Sequence, residues 1–281
     1  MTWWNSLAKR LKREPKWCLL SVRSYSESQN GLIRNCADVD EYVQSLGLDS
    51  ELDQTWRKSP AYPEPYISEL SDVTMISGSR LLLVGRRTVL SDELELGFRH
   101  FGFGPKLANM QVSEGPVLTF SEDLKYGDSI PTGIHLTGEH EANYFHWIVE
   151  ILPRLFLYEQ LYAETSLPLL VSGGLHQNLY DLLDLVRSHD RPVMRLKAHS
   201  GFRIERLVYP SDVSRIFDVY DRAPGLDTTY LPVSLLKRMA VEIKRRIGVT
   251  ATQTGKRLFI KRGSSYRLLL NQQEIEDSLA T

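Results

Sequence analysis

The spacing of hydrophobic and polar positions changes character near residue 130. Upstream, residues 72–76, 80–84 and 87–90 are short β-prone runs broken by Gly78 and Gly85, which predicts a β-meander. Downstream, residues 130–136, 167–172, 192–196 and 203–209 read as strands, and 167–172 (LPLLVS) is almost wholly apolar. Between them, residues 142–162 and 176–187 carry helical periodicity, the second with Leu179, Leu182, Leu183 and Val186 at core spacing. Continuous apolar strands alternating with amphipathic helices predict an α/β fold with a parallel, doubly wound sheet covered on both faces.

The flanks are less regular. Residues 1–70 read as an irregular extension with a short helix at 38–48 ended by Gly47, then an extended proline-rich stretch at 59–65. Residues 98–105 (FRHFGFGP) read as a loop, and 210–230 as a long connection. A charged helix follows at 231–248, where Lys244, Arg245 and Arg246 before Gly248 complement the helix dipole; a solvated face accounts for these charges. After a polar linker, residues 256–261 predict a strand and 262–266 a turn. Asn271 with Glu274 is a capping signature that opens a last helix. The expected organisation is an extension over 1–70, a Rossmann-like domain with a meander start over 71–248, and the beginning of a second domain over 249–281.

Composition narrows the class. With 281 residues, 42% hydrophobic and 25% charged, the chain can bury a substantial core. Thirty-four Lys and Arg against 35 Asp and Glu argue against a general nucleic-acid binder, which needs a cationic surplus. Two cysteines, Cys18 and Cys36, make neither a disulfide scaffold nor a thiolate zinc site and suit a reducing compartment. The first 20 residues lack a signal-peptide core, and no run is long enough to span a bilayer, so a cytoplasmic protein is expected. Trp3, Trp4 and Leu7 beside Lys9, Arg10, Lys12 and Arg13 would permit peripheral membrane contact, although a packed basic helix is the plainer reading.

The chemistry concentrates in residues 138–155 (GEHEANYFHWIVEILPRL). His146, Glu150 and Arg154 are four apart and share one helical face, while Phe145, Ile148, Ile151, Leu152 and Leu155 lie on the apolar side. Asn143 is a natural N-cap, which leaves His146 in a first turn whose free N–H groups attract anions. Pro153 predicts a kink. The alternative is structural: Trp147 and the aliphatics form core, Arg154 pairs with Glu150, and His146 is a hydrogen-bonded core histidine. His135, His140 and His146 with Glu139 and Glu141 raise the reading of a metal-dependent hydrolase. A six-residue separation of His140 and His146 puts them on different helical faces and disfavours it. No nucleophile elbow, dinucleotide fingerprint or Walker loop is present. A second cluster, residues 261–267 (KRGSSYR), follows a strand; it can grip phosphate or simply be a solvent-facing basic loop.

Taken together, Asn143-Tyr-Phe-His-Trp147 with Glu150-Ile-Leu-Pro-Arg154 resembles the N-Y-x-H-W…L-P-R signature of glycosyltransferase family 61. Phe259-Ile-Lys-Arg-Gly263, Arg267 and Leu270-Asn-Gln-Gln-Glu274 resemble that family's later stretch, and the likeness covers about residues 72–281. It implies a GT-B transferase, with two Rossmann-like domains facing a cleft. Such an enzyme moves a sugar from a nucleotide-sugar to a glycan or other hydroxyl acceptor, with inversion, without an essential metal or cofactor, in polysaccharide biosynthesis. By position, His146 and then Glu150 are the candidates for general base, with Asn143 and Arg154 on the acceptor side. Arg262, Arg267 and Asn271 would face the donor diphosphate, whose charge grows in the transition state. The family's downstream Gly-His-Gly-Ala-like segment has no counterpart here, so the expectation divides. The chain is a glycosyltransferase with a shortened donor side, or a non-catalytic acceptor-binding or assembly protein.

Overall fold

The computed structural model describes residues 18–29, 33–35, 65–85, 88–92, 100–102, 108–111, 117–120, 125–161, 166–188, 190–198, 200–216 and 229–249. Short elements come first: β1 (Cys18–Leu20), α1 (Val22–Ser28) and β2 (Ile33–Asn35). The long β3 (Tyr66–Ile76) and the short β4 (Leu82–Val84) and β5 (Thr88–Leu90) form the predicted meander. A separate three-stranded sheet comprises β6 (His100–Gly102), β7 (Ala108–Gln111) and β8 (Val117–Phe120). After β9 (Lys125–Tyr126) comes the alternating part: β10 (Ile130–His135), α2 (Tyr144–His146), a π turn (Trp147–Ile151), α3 (Leu152–Leu161) and β11 (Leu169–Ser172). Then follow α4 (Gln177–Val186), β12 (Val193–Leu196), β13 (Ser200–Pro210), the hairpin of β14 (Arg215–Ile216) with β15 (Thr229–Tyr230), and α5 (Val233–Arg246).

One mixed sheet carries most strands, in the order β1-β5-β4-β3-β13-β10-β11-β12. Strands β13, β10, β11 and β12 are mutually parallel, whereas β3 joins β13 antiparallel. The chain runs outward from β10 through β11 to β12, then returns to the other side of β10. Strand order therefore reverses between β10 and β13, and in open α/β sheets the crevice outside such strand ends is where ligands bind.

The return is unusual. Leu196 ends β12 and Ser200 begins β13, too short a link for a crossover helix. Instead the first half of β13 makes the crossing itself. Phe202 and Ile204 pack with Leu170 and Leu196, and the hydroxyl of Ser77, whose N–H donates to the Ser200 carbonyl, meets that of Ser172 at 2.8 Å. A bend at Asp72 makes this feasible. The buried positions of β3 switch from Tyr66 and Leu70 to Val73 and Met75, those of β13 from Phe202 and Ile204 to Leu207 and Tyr209, and the ladder omits Asp72 with Glu205. Asp72 has φ 54°, a left-handed conformation that breaks the period of two.

Two cores result. Trp147, Ile151, Leu155, Leu179, Leu183, Leu235 and Met239 from the helices pack on Ile134, Leu169, Val171 and Val208. On the opposite face Leu170, Leu196 and Leu207 meet Tyr66, Leu70, Val73, Met75 and Val22. Among the described residues the longer helices cover one face, and the other is covered by the bent strand pair and the short α1. An apolar strand reads the same under either cover, so the predicted two-sided helical winding is corrected here. Between β10 and β11, Gly133 is required by close approach, because a Cβ there would lie 2.5 Å from Leu170 Cγ.

Three local expectations also change. Strand and helix replace irregular chain at 18–28 and 66–70, and His100–Gly102 is a strand within the predicted loop. Arg80 precedes β4 rather than opening it. The predicted helix at 38–48, the stretch 59–64 and everything from residue 250 onward lie outside the described residues. Among the described residues no helix is long and apolar enough to cross a membrane.

Candidate functional site

Beyond β10, Asn143 begins the helix as predicted: its Oδ1 accepts the Phe145 N–H at 3.0 Å. The expected kink takes the form of a π turn, in which the Leu152 N–H donates to the Trp147 carbonyl. Pro153 has no N–H for the carbonyl of Val149, and that carbonyl accepts instead from the Ser214 hydroxyl. Single π turns recur at functional sites. This one carries Glu150 and leads directly to Arg154, and both side chains are completely buried.

They are buried among charges. Arg80 holds three carboxylates: Nη1 donates to Glu139 Oε2 at 3.0 Å, Nη2 to Glu150 Oε2 at 3.3 Å and Nε to Asp212 Oδ1 at 2.9 Å. Its backbone N–H and the Ser79 hydroxyl both reach Glu139 Oε1 at 2.9 Å. Arg154 sits behind, donating to the Pro210 carbonyl at 2.9 Å, the Thr137 carbonyl at 3.2 Å and His135 Nδ1 at 3.1 Å, with Asp212 at 3.6 Å. The predicted Glu150–Arg154 pair is therefore not what forms. Each takes a partner from another segment, since a guanidinium with five donors needs more acceptors than one turn of helix supplies.

Burial dominates the titration of this cluster. It pushes the Asp212 carboxyl up, against the counter-pull of Arg80 and Arg154. It raises Glu141 to about 7, although the Ser172 hydroxyl and the Gly138 N–H, 3.2 Å from Oε2, both favour the carboxylate. His135 is driven well below its ordinary value by burial and then by Arg154 and Arg80, so it is a neutral acceptor for Arg154. The cluster is rich in acid, with two guanidinium groups facing Glu139, Glu150 and Asp212 and with Glu141 beside them.

His146 lies at the rim, 15% exposed. Its Nδ1 is buried 3.4 Å from Glu150 Oε2 but makes no hydrogen bond, so this nitrogen is presented to a carboxylate that Arg80 already engages. The rings of His140 and His146 are 5.1 Å apart, which corrects the expectation that they diverge. His140 precedes the helix in a left-handed conformation, φ 59°, so helical phase does not govern its direction. Among the described residues no group of three His, Cys, Asp or Glu side chains is arranged to hold a metal ion. Phe145, assigned to the apolar side, is instead 49% exposed, with Tyr144 at 53%, so two aromatic rings flank the rim.

The fold thus brings His146, Glu150, Arg154 and Asn143 to the point where strand order reverses. Arg262, Arg267 and Asn271 lie outside the described residues. Sequence reasoning missed Arg80 and Asp212. Arg80 opens an apolar run and Asp212 sits in a connection, and neither position carries a local signal for a buried charge. Compared with known protein families, with curated proteins and with solved structures, the chain matches none.

Proposed function

We propose that this chain is a family 61-like, GT-B glycosyltransferase whose described residues form the acceptor side, with His146 as general base. The observation that carries the reading is the His146–Glu150 arrangement at the strand-order reversal: a part-exposed imidazole backed by a buried carboxylate that Arg80 immobilises. In the transfer, the imidazole takes the acceptor hydroxyl proton as that oxygen bonds the donor's anomeric carbon. The bond from that carbon to the diphosphate oxygen breaks on the opposite face, which inverts the centre. The Glu150 carboxylate offsets the imidazolium that forms; completely buried, it acts through His146 and not on the acceptor. Arg262, Arg267 and Asn271 would neutralise the departing nucleoside diphosphate.

A second reading has its own support. The burial of Glu150 and Arg154 also suits a purely structural cluster in a non-catalytic acceptor-binding or assembly protein. One experiment separates the two. Full-length protein is screened by thermal shift against nucleoside-diphosphate sugars, then assayed for diphosphate release with hydroxyl acceptors. At least one donor should raise Tm, and Arg262→Ala should abolish the rise. His146→Gln should keep the rise while slowing transfer by roughly 100-fold or more, the ordinary contribution of a general base. A chain that no donor stabilises is not this enzyme.

A further inference from the structure

The outer face of α5 carries a pattern that the acceptor-side reading does not use. Leu235 and Met239 are buried and, with Leu236 and Ile243, fasten the helix to the core. Opposite them Lys237, Arg238, Val241, Lys244 and Arg245 form one continuous exposed stripe, spaced as neighbours on a helical surface. Val241 is 58% exposed within that stripe. Past the core-facing Ile243, Ile247 and Val249 are also exposed, at 51% and 54%.

That end is rigid. Gly248, φ 70°, takes the left-handed cap, with its N–H on the Arg245 carbonyl and the Val249 N–H on the Lys244 carbonyl. Three branched apolar side chains are therefore exposed among cations on the helix and its end. Over residues 237–246 five Lys and Arg accompany one acid, Glu242. That acid is committed: hydrogen bonds from Arg245 and then Arg246 hold its carboxyl down at about 2. Lys237, Arg238 and Lys244 make no ion pair among the described residues.

We infer that the outer face and the end of α5 dock this protein on an anionic lipid surface, with Val241 and the apolar residues at the helix end toward the acyl boundary and Lys237, Arg238 and Lys244 over the headgroup phosphates. A bilayer is the partner that rewards both halves of the pattern. Nucleic acid would use the cations and leave the three apolar side chains wet, and the chain as a whole, with net charge -1, has no cationic surplus for it. A second copy would set this stripe against itself across a two-fold axis, cation facing cation.

The test is flotation of the full-length chain with phosphatidylcholine vesicles, with and without phosphatidylglycerol. Binding should require the anionic lipid and fall with added salt. Each cation near such a surface is worth about fivefold in partition, so Lys237→Gln with Lys244→Gln should weaken binding about 25-fold. Val241→Asp should weaken it as well, with thermal unfolding little changed because the side chain is mostly exposed and outside the core. Equal binding to neutral vesicles, no binding, or full binding by the double lysine variant would each overturn the assignment. So would a stable dimer that Val241→Asp dissociates, or a nucleic-acid complex lost in the lysine variant. None of these readouts involves a nucleotide-sugar, so the result stands apart from the transferase reading.

Discussion

Glu141 offers the sharpest physical test of the buried cluster. Its carboxyl is 6% exposed, and burial lifts it from 4.5 to about 7. Between those values the folded protein holds a proton that the unfolded chain has released, so stability must fall as pH rises through this window. The stabilisation is complete below pH 4.5 and gone above about 7. A displacement of this size corresponds to roughly 3 kcal/mol. Glu141→Gln removes the titration but retains an oxygen for the Gly138 N–H, 3.2 Å from Oε2 in the native protein. The variant should nearly equal the wild type in urea unfolding at about pH 4 and exceed it by roughly 3 kcal/mol at pH 8. Comparing the two proteins at both pH values cancels every other titrating group. If wild type and variant lose stability in parallel between pH 4 and 8, Glu141 is not the raised carboxyl and the burial argument fails.

Two further outcomes follow from the same network. Arg80→Met strands three buried carboxylates and should cost about 3–5 kcal/mol, more at pH 8 than at pH 5, because the Asp212 carboxyl, already raised by burial, would then hold its proton more tightly. A loss under about 1 kcal/mol by urea unfolding would show that the ion contacts are not what holds this end of the sheet. At the π turn, Ser214→Ala leaves the Val149 carbonyl without its donor and should cost about 1–2 kcal/mol. In a Pro153→Ala background a backbone N–H becomes available to that carbonyl, so the cost should shrink; strictly additive losses in a double-mutant cycle would refute the pairing.

What could be read from sequence was whatever repeats locally. The strands at 130–135, 169–172 and 193–196 and the helix at 177–186 are continuous periodic runs, and the structure has them within a few residues. The Asn143 cap and the Gly248 stop were legible for the same reason, since both act within one turn. The crossing of β13 was not. Its cause is one left-handed aspartate, and Asp72 looks like an ordinary polar position in a β-run until its φ is known. The stripe His146–Glu150–Arg154 was legible as a stripe, but its direction was misjudged. Four-residue spacing shows that side chains share a face, and only tertiary contacts say whether that face meets water. Phe145 is the converse case, an aromatic at core spacing left half in solvent because it sits in the first turn beside the cap.

Those tertiary contacts also set His146 apart from the rest of the stripe. Glu150 is reached by an arginine 70 residues upstream, Asp212 by the same arginine across 132, and both contacts exist because the bent strand pair folds back over the ends of β10 and β11. Arg80, Glu139, Glu150 and Asp212 satisfy one another and would do so without His146. The imidazole is surplus to that network: its Nδ1 is buried beside Glu150 with no hydrogen bond of its own. A buried nitrogen left in this state costs stability, on the order of 1–3 kcal/mol. In the proposed transfer Nδ1 would face Glu150 while the other ring nitrogen takes the proton. On this argument His146→Gln should lose little or no stability while losing transfer, the trade-off expected of a functional group. If instead His146→Gln destabilises the fold as severely as Arg80→Met does, His146 belongs to the scaffold and the catalytic assignment goes with it.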